Sequence, residues 1–268
     1  MKNTRPIGIF DSGVGGLTVL RQVEKLLPRE NIVYFGDTAR VPYGNKSRAA
    51  VLRFSAESFR FLTEKKVKMG IVACNTSSSL ALMSLRRMFP FPVLGVVEAG
   101  VRGALRRTRK KRIGVIGTRA TIKSGSYERA ILRQEPKAKI FSEACPLFVP
   151  LAEEGITRGN LVQQVIDRYL RGMRSHRIDT LILGCTHYPL LKTALSRYFG
   201  AATEIVDSAE EVALFTRKIL EEYEIKGSPR RKGKVEFYVS DEPEGFSRMA
   251  GLFLRRKVLV PKVVYVSH

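Results

Sequence analysis

The sequence predicts an α/β protein with two pseudo-symmetric lobes, each a mainly parallel sheet flanked by helices, and an active site in the cleft between the lobes. The chain has 268 residues, of which 44% are hydrophobic, and this is enough for two hydrophobic cores. Short β-branched or apolar runs alternate with longer helical patterns, which is typical of parallel sheets. The two halves also repeat one plan. Each begins with a strand and a turn, and each reaches a strand that ends at a cysteine, Cys74 in the first half and Cys185 in the second.

The strands and helices follow from two kinds of hydrophobic pattern. Apolar residues spaced three to four positions apart, as in residues 161–170, predict amphipathic helices with one buried stripe. Short β-branched or apolar runs predict strands at Ile7–Phe10, Ile32–Phe35, Gly70–Ala73, Val93–Val97, Ile113–Ile116, Thr180–Leu183 and Glu204–Val206.

The tail from about Lys226 predicts an added strand and a short helix on the first lobe. We therefore expect the first lobe to comprise residues 1–97 and 209–268, and the second lobe residues 98–208. Two lobes related by a rough two-fold axis would present their cysteines from opposite sides of the cleft.

A strong positive charge raises the question of a nucleic-acid partner. Lys and Arg number 47 against 25 acidic residues, which gives a formal net charge of +22. Such a field attracts polyanions and small anionic substrates alike. The densest basic run, Arg106–Arg112, lies between a helical pattern and a strand, where cations near the helix C-terminus are favoured by the helix dipole. No nucleic-acid module signature is present. Nucleic-acid binding is therefore retained only as the less favoured alternative.

The cysteine count and the absence of targeting signals indicate a reduced, cytoplasmic protein. Three cysteines are an odd number and do not make a disulfide framework. The sequence has neither a signal peptide nor an apolar run long enough to span a bilayer, so we expect no membrane association. It has only three histidines and lacks the spacings of known zinc motifs, so we expect no metal.

The two matched cysteines are the strongest candidates for chemistry. Each follows a buried strand and precedes a polar turn into a helix, which we expect to begin near Ser79 after Cys74 and around Pro189 after Cys185. Ligands of open α/β sheets bind beyond the carboxyl ends of the strands. A helix N-terminus there favours a thiolate and lowers the thiol pKa from about 8.5 toward neutrality. We interpret the third cysteine, Cys145, as inert packing.

The turn after the first strand, Asp11–Gly16, has two interpretations. Its glycines simply permit a tight turn, or its acid accepts a hydrogen bond from a substrate ammonium group or acts as the partner of a base. It lacks the Gly-Lys-Ser/Thr of a phosphate-binding loop. His187 lies two residues after Cys185, so a one-thiol cysteine hydrolase is also conceivable. Such a hydrolase leaves Cys74 without a role.

Five motifs stand in a fixed order from the first strand to just beyond the second cysteine. They are Gly8–Leu17, Tyr34–Thr38, Pro42–Gly44, Ala73–Ser78 and Gly184–Pro189. In content and order these motifs resemble the motif set of bacterial glutamate racemases. Aspartate racemases share the paired cysteines but generally lack the Asp-Ser-Gly-Val-Gly-Gly opening, so the resemblance favours glutamate.

The resemblance implies an isomerase that interconverts L-glutamate and D-glutamate without a cofactor. One cysteine, as thiolate, removes the α-proton, and the other, as thiol, delivers a proton to the opposite face. By the motif match, Cys74 acts on D-glutamate and Cys185 on L-glutamate. Thiols suit this task because an acid–base group works best when its pKa is near the operating pH. The expected context is a cytoplasmic homodimer that supplies D-glutamate for peptidoglycan synthesis.

The remaining site residues are assigned roles on the same basis. Asp11 is expected to assist Cys74 and His187 to assist Cys185. Glu153 matches a family acid on the side of the second cysteine, with a surface carboxylate as the alternative. Hydrogen-bond donors that neutralise the substrate carboxylate help the chemistry, because they favour loss of the α-proton. The expected substrate contacts are Asp11, Ser12, Tyr43, Gly44, Asn75, Thr76, Thr118, Thr121, Thr186 and His187.

Overall fold

A computed structural model describes residues 4–227 and 232–266, and within them two separate parallel sheets are formed. The first has the order β10-β9-β2-β1-β3-β4 and the second the order β6-β5-β7-β8. Strands of the first sheet are β1 (Ile7–Asp11), β2 (Ile32–Gly36), β3 (Met69–Val72), β4 (Val93–Gly95), β9 (Val235–Val239) and β10 (Lys262–Val263). Strands of the second sheet are β5 (Arg112–Gly117), β6 (Lys139–Ala144), β7 (Thr180–Gly184) and β8 (Glu204–Asp207). All neighbouring strands run parallel, which confirms the α/β prediction.

Helices cover both faces of each sheet. They are α1 (Leu17–Leu26), α2 (Arg48–Glu64), α3 (Asn75–Leu80), α4 (Leu82–Met88), α5 (Val96–Arg107), α6 (Arg119–Lys123), α7 (Ser126–Gln134), α8 (Phe148–Glu153), α9 (Asn160–Ser175), α10 (Lys192–Phe199), α11 (Ser208–Glu222) and α12 (Pro243–Leu254). Successive residues of a strand pack on opposite faces of the sheet: Ile9 of β1 belongs to one apolar cluster and Phe10 to another. The second sheet likewise has a cluster on each face. Because both faces of each sheet are covered, the buried strands consist of continuous apolar runs, and these runs predicted them from the sequence.

The strands differ from the prediction in three places, one of which is the short strand β10, absent from the predicted tail. The predicted strand Val93–Val97 ends at Gly95, and α5 begins at Val96. The two valines have high strand propensity, but packing fixes the helix start, since the backbone N–H of Val97 donates to Ser78 Oγ at 3.2 Å. Strand β6 was not predicted. It is a half-exposed edge strand with charged residues, so it lacks an apolar run.

Two helices carry the chain between the sheets. Helix α5 leads from β4 into the second sheet, and α11 leads back from β8 to the first, where it packs on α1 and α5. The exact lobe boundaries, residues 97/98 and 208/209, stay a prediction. The tail adds β9 beside β2 and α12 against α1, so it extends the first sheet as expected.

The basic run lies at the C-terminal end of α5. Arg106 and Arg107, in the last helical turn, both pair with the buried carboxylate of Glu211 on α11. Beyond the helix, Asp179 accepts hydrogen bonds from the backbone N–H groups of Arg109 at 2.6 Å and Lys110 at 2.5 Å. The basic run therefore makes contacts within the protein at the end of α5 and in the loop that follows. These contacts agree with the interpretation of the run as a helix end.

Neither a membrane span nor a metal cluster is found among the residues that the structure describes. None of their helices combines the length and the apolar character needed to cross a bilayer. No group of three or more His, Cys, Asp or Glu side chains among them is arranged to hold a metal ion.

Candidate active site

The carboxyl ends of four strands, two from each sheet, face one cavity of about 360 Å³. Strands β1 and β3 of the first sheet and β5 and β7 of the second end there, so the cavity lies between the two halves of the fold. The residues that line it are Ser12, Gly13, Val41, Pro42, Tyr43, Gly44, Asn45, Cys74, Asn75, Thr76, Thr118, Arg119, Pro146, Val149, Pro150, Glu153, Cys185, Thr186 and His187.

All but two of the predicted site residues line this cavity. The exceptions are Asp11, which lies behind Ser12, and Thr121, whose hydroxyl is 3.0 Å from Thr118 Oγ1. Both are buried. Sequence reasoning missed the apolar wall of Val41, Pro42, Pro146, Val149 and Pro150, as well as Gly13, Asn45 and Arg119. Apolar residues in loops carry no chemical signature, and only the fold brings them to the cavity.

Cys74 lies at the N-cap of α3 and is buried. The helix begins at Asn75 rather than near Ser79, so the sequence prediction was wrong by about one turn. The predicted fall in the thiol pKa is also wrong: burial and then the charge of Asp11 raise the Cys74 pKa to about 11. Hydrogen bonds with Ser12 and Ser77 oppose this rise but do not cancel it. Desolvation outweighs the field of so short a helix.

Asp11 is the charged group behind Cys74. Its Oδ2 accepts from the backbone N–H of Gly13 at 3.0 Å, while Oδ1 is buried with no hydrogen-bond partner among the described atoms. Burial raises the pKa of the carboxyl, and the charge of His187 and nearby backbone N–H groups partly offset that rise. Asp11 therefore acts on the site through charge rather than as part of the cavity wall.

The raised pKa of Cys74 gives a measurable pH dependence. Only the thiolate is alkylated, so the alkylation rate at Cys74 will keep rising above the ordinary thiol pKa of about 8.5 and level off near about 11. The measurement is iodoacetamide labelling over a pH series, with the labelled peptide quantified by mass spectrometry. A small-molecule thiol in the same series is the reference. The Asp11→Asn variant, which removes a negative charge, will level off at lower pH. A plateau at or below the reference value would contradict this assignment.

The second cysteine belongs to a chain of three groups. Cys185 Sγ lies 3.8 Å from His187 Nδ1, and His187 Nε2 lies 3.1 Å from Glu153 Oε1. Burial alone would lower the pKa of His187, but its hydrogen bonds to Cys185 and Glu153 outweigh burial and raise that pKa to about 10. The ring of Phe253 in α12 packs nearly perpendicular to the imidazole, with 5.6 Å between the two ring centroids. Glu153 thus lines the cavity and contacts His187, while its own side chain is 40% exposed.

The glycines after β1 are explained by close packing. None of Gly13, Gly15 and Gly16 has a positive φ, so no left-handed turn requires them. A Cβ on Gly15 would lie 2.2 Å from Thr186 Oγ1 and 2.6 Å from His187 Nδ1. Because Gly15 has no side chain, the turn after β1 can lie close to Thr186 and His187 of the second lobe. A larger residue at this position would clash with them.

Comparison with known proteins decides the family. The family model described as Asp/Glu/Hydantoin racemase matches residues 7–215.

The chain belongs to this family.

A relative named glutamate racemase, from Geobacter metallireducens, is 48% identical over 95% of this chain and 94% of its own length. Among solved structures, glutamate racemase isoform RacE1 from Bacillus anthracis superposes with a TM-score of 0.93 at 37% identity, over 99% of this chain and 98% of that one. Glutamate racemase from Francisella tularensis in complex with D-glutamate gives 0.91 at 36% identity, over 98% of both chains. The predicted isomerase class and two-lobed fold are confirmed.

Four hydrogen bonds join α3 of this racemase to the second sheet's lobe, and the longest, at 3.4 Å, is between Thr76 Oγ1 and Thr121 Oγ1. Asn75 Oδ1 accepts from Tyr127 OH at 2.6 Å, Thr76 Oγ1 lies 3.0 Å from Thr118 Oγ1, and Ser126 Oγ donates to Ser79 Oγ at 2.8 Å. The helix that follows the first cysteine is therefore held by the half of the fold that carries the second.

A separate group of polar residues holds Tyr43 at the cavity wall. Its hydroxyl donates to Asp37 Oδ2, which also accepts from Arg40 Nε at 2.7 Å. Arg40 in turn pairs with the buried carboxylate of Glu57 on α2. These contacts order the segment that carries Tyr43 and Gly44.

Proposed function

We propose that this protein is a cofactor-independent glutamate racemase that interconverts L-glutamate and D-glutamate with Cys74 and Cys185 as its two acid–base groups. The observation that carries the proposal is that the two thiols line one cavity from the strand ends of different sheets. Racemisation needs an acid and a base on opposite faces of one carbon, and this arrangement suits it. The relatives named glutamate racemase, one of them a complex with D-glutamate, support glutamate as the substrate.

The proton balance of the proposed reaction is simple. With D-glutamate bound, the Cys74 thiolate takes the α-proton, so the C–H bond breaks and an S–H bond forms on Cys74. The Cys185 thiol gives its proton to the opposite face of the same carbon and becomes a thiolate. The net charge of the site is unchanged, and the reverse reaction exchanges the two roles. His187, within reach of Cys185 Sγ and held by Glu153, stabilises the negative charge on that sulfur.

The difficult step is removal of a weakly acidic α-proton. Hydrogen-bond donors aimed at the substrate carboxylate lower its barrier, because they neutralise charge that opposes carbanion formation. The unpartnered amide Nδ2 of Asn75 is such a donor, and the hydroxyls of Ser12, Thr76, Thr118 and Thr186 also line the cavity. Asp11 is proposed to keep Cys74 basic through its charge. Thr121 is proposed to act by holding Thr118.

The wider setting is proposed from the same family relationship. A glutamate racemase of bacterial type would act in the cytoplasm, as a homodimer, and would supply D-glutamate for peptidoglycan.

The proposal is tested by incubating the pyridoxal-free protein with L-glutamate in deuterium oxide. We expect loss of optical activity together with incorporation of deuterium at the α-carbon. Exchange with aspartate but not glutamate would retain the chemistry and assign the substrate of the related aspartate racemases. Exchange with neither amino acid would contradict racemase activity. Salt-sensitive binding of DNA or RNA would then test the alternative suggested by the +22 charge.

A further inference from the structure

The side-chain amide of Asn75 is only half satisfied. It lies at the cavity wall and is 3% exposed, and its Oδ1 accepts a hydrogen bond from Tyr127 OH at 2.6 Å. Its Nδ2 is buried and has no hydrogen-bond partner among the residues that the structure describes. A buried N–H group without a partner costs about 1–3 kcal/mol, so an unpaired donor at a cavity wall indicates a ligand with an acceptor.

The orientation of this amide depends on Tyr127. An amide can rotate by half a turn and exchange its oxygen and nitrogen, which would direct Oδ1 toward the ligand instead. Rotation would also leave the Tyr127 hydroxyl proton without its acceptor, because Asn75 Oδ1 is the partner the structure gives it. The phenol stays protonated at ordinary pH, because burial, and then the charges of Cys185 and Asp207, raise its pKa.

The ring of Tyr127 is itself fixed in place. It projects from α7 of the second lobe and is 2% exposed. A Cβ on Gly184, the residue before Cys185, would lie 3.2 Å from Tyr127 Cε2. The ring thus packs against the strand end that carries the second thiol, while its hydroxyl reaches the residue after the first thiol.

We propose that Tyr127 is a positioning residue: its hydroxyl fixes the Asn75 amide so that Nδ2 donates to a carboxylate oxygen of the substrate. This inference rests on the proposed function, and it adds a residue that does not line the cavity. It also means that a donor carried by the first lobe is oriented by the second lobe. Substrate binding on the Cys74 side then depends on correct contact between the two lobes.

The test is a double-mutant cycle on Tyr127→Phe and Asn75→Ala. The phenylalanine keeps the ring and removes the hydroxyl, so the amide is no longer fixed. We expect KM for both enantiomers of glutamate to rise about tenfold, in line with one lost hydrogen bond to a charged group, with a smaller change in kcat. In the Asn75→Ala background, Tyr127→Phe should change KM less than twofold, because its effect passes through Asn75.

Tyr198→Phe is the matched control. This variant also removes a tyrosine hydroxyl, which donates to Asp167 Oδ1 of α9 at 2.9 Å. We expect its KM for glutamate to be unchanged. An unchanged KM in Tyr127→Phe would overturn the inference, and so would an equal effect with and without Asn75. The Kd of D-glutamate, measured by calorimetry for the same variants, gives the same comparison without relying on the rate of the reaction. If the wild-type protein neither racemises nor binds glutamate, the proposed function fails instead, and that outcome is read from the wild-type arm alone.

Discussion

Replacing either Cys74 or Cys185 with serine will lower the rate of glutamate racemisation by about 10²- to 10⁴-fold in both directions, the usual contribution of one acid–base group. Serine is close in shape to cysteine, so the cavity is preserved, but its hydroxyl is far too weak an acid to exchange protons near neutral pH. Both directions should fail together, because in the proposed mechanism each thiol is the base in one direction and the acid in the other. The measurement is circular dichroism of each enantiomer, with α-deuterium incorporation followed by NMR.

Residual deuterium exchange in the same variants assigns each thiol to its enantiomer. The Cys185→Ser variant keeps Cys74, so any remaining exchange should favour D-glutamate and retain its configuration. The Cys74→Ser variant should favour L-glutamate.

The third cysteine provides the control for these variants. Cys145 is buried in the core of the second sheet and does not line the cavity. Cys145→Ala should therefore keep racemisation within a few-fold of wild type. Full activity in either Cys74→Ser or Cys185→Ser would exclude a two-thiol mechanism.

The variant Lys68→Met should lower the free energy of unfolding by about 3–5 kcal/mol, the usual cost of removing one partner from a buried ion pair. Lys68 Nζ lies 2.5 Å from Glu30 Oε2, with the two side chains only 1% and 5% exposed, and it also donates to the Ile225 carbonyl at 2.7 Å. Glu30 Oε1 accepts from the backbone N–H of Gly227 at 2.7 Å. Among the residues that the structure describes, Lys68 is the cation paired with this carboxylate, so removing the ammonium group leaves the carboxylate buried without that counter-charge. Chemical denaturation followed by circular dichroism measures the loss.

Two further variants separate charge from packing. Adding Glu30→Gln to Lys68→Met should restore much of the lost stability, since neither member of the pair then carries a charge. Lys218→Met removes an exposed pair with Glu222, at 63% and 54% exposure, and should change stability by less than about 1 kcal/mol. Equal losses in Lys68→Met and Lys218→Met would show that burial does not determine the effect.

The sequence identifies the reactive side chains of the site better than it identifies their burial and their neighbours. Cys74, Cys185 and His187 could be found because reactive side chains at the ends of apolar runs mark sites in α/β proteins. The pKa of Cys74 was predicted in the wrong direction, because the sequence shows that a helix follows the cysteine but shows neither the burial of the thiol nor the nearby Asp11 carboxylate. Tyr127 gave no signal, since it resembles any core tyrosine until the fold places its hydroxyl 2.6 Å from Asn75.

The fold shows the same division. Buried strands such as β1 and β7 could be read from their apolar runs, whereas the edge strand β6 could not, because its half-exposed residues carry charge. The change from strand to helix at Gly95 depends on a side chain, Ser78, that lies far from it in sequence. Local patterns predict the elements, and tertiary contacts decide where those elements end.

The strand order of the first sheet has a consequence for how the chain is made. Strand β9 completes the sheet beside β2, yet it is synthesised only after the whole second sheet. The core around β1 also includes Val212, Phe246 and Phe253 of α11 and α12, which are likewise synthesised after the second sheet. On the ribosome, the second sheet can therefore be finished while the first still exposes an unpaired strand edge and an uncovered apolar face, the features that promote aggregation. The half of the protein that begins first is completed last.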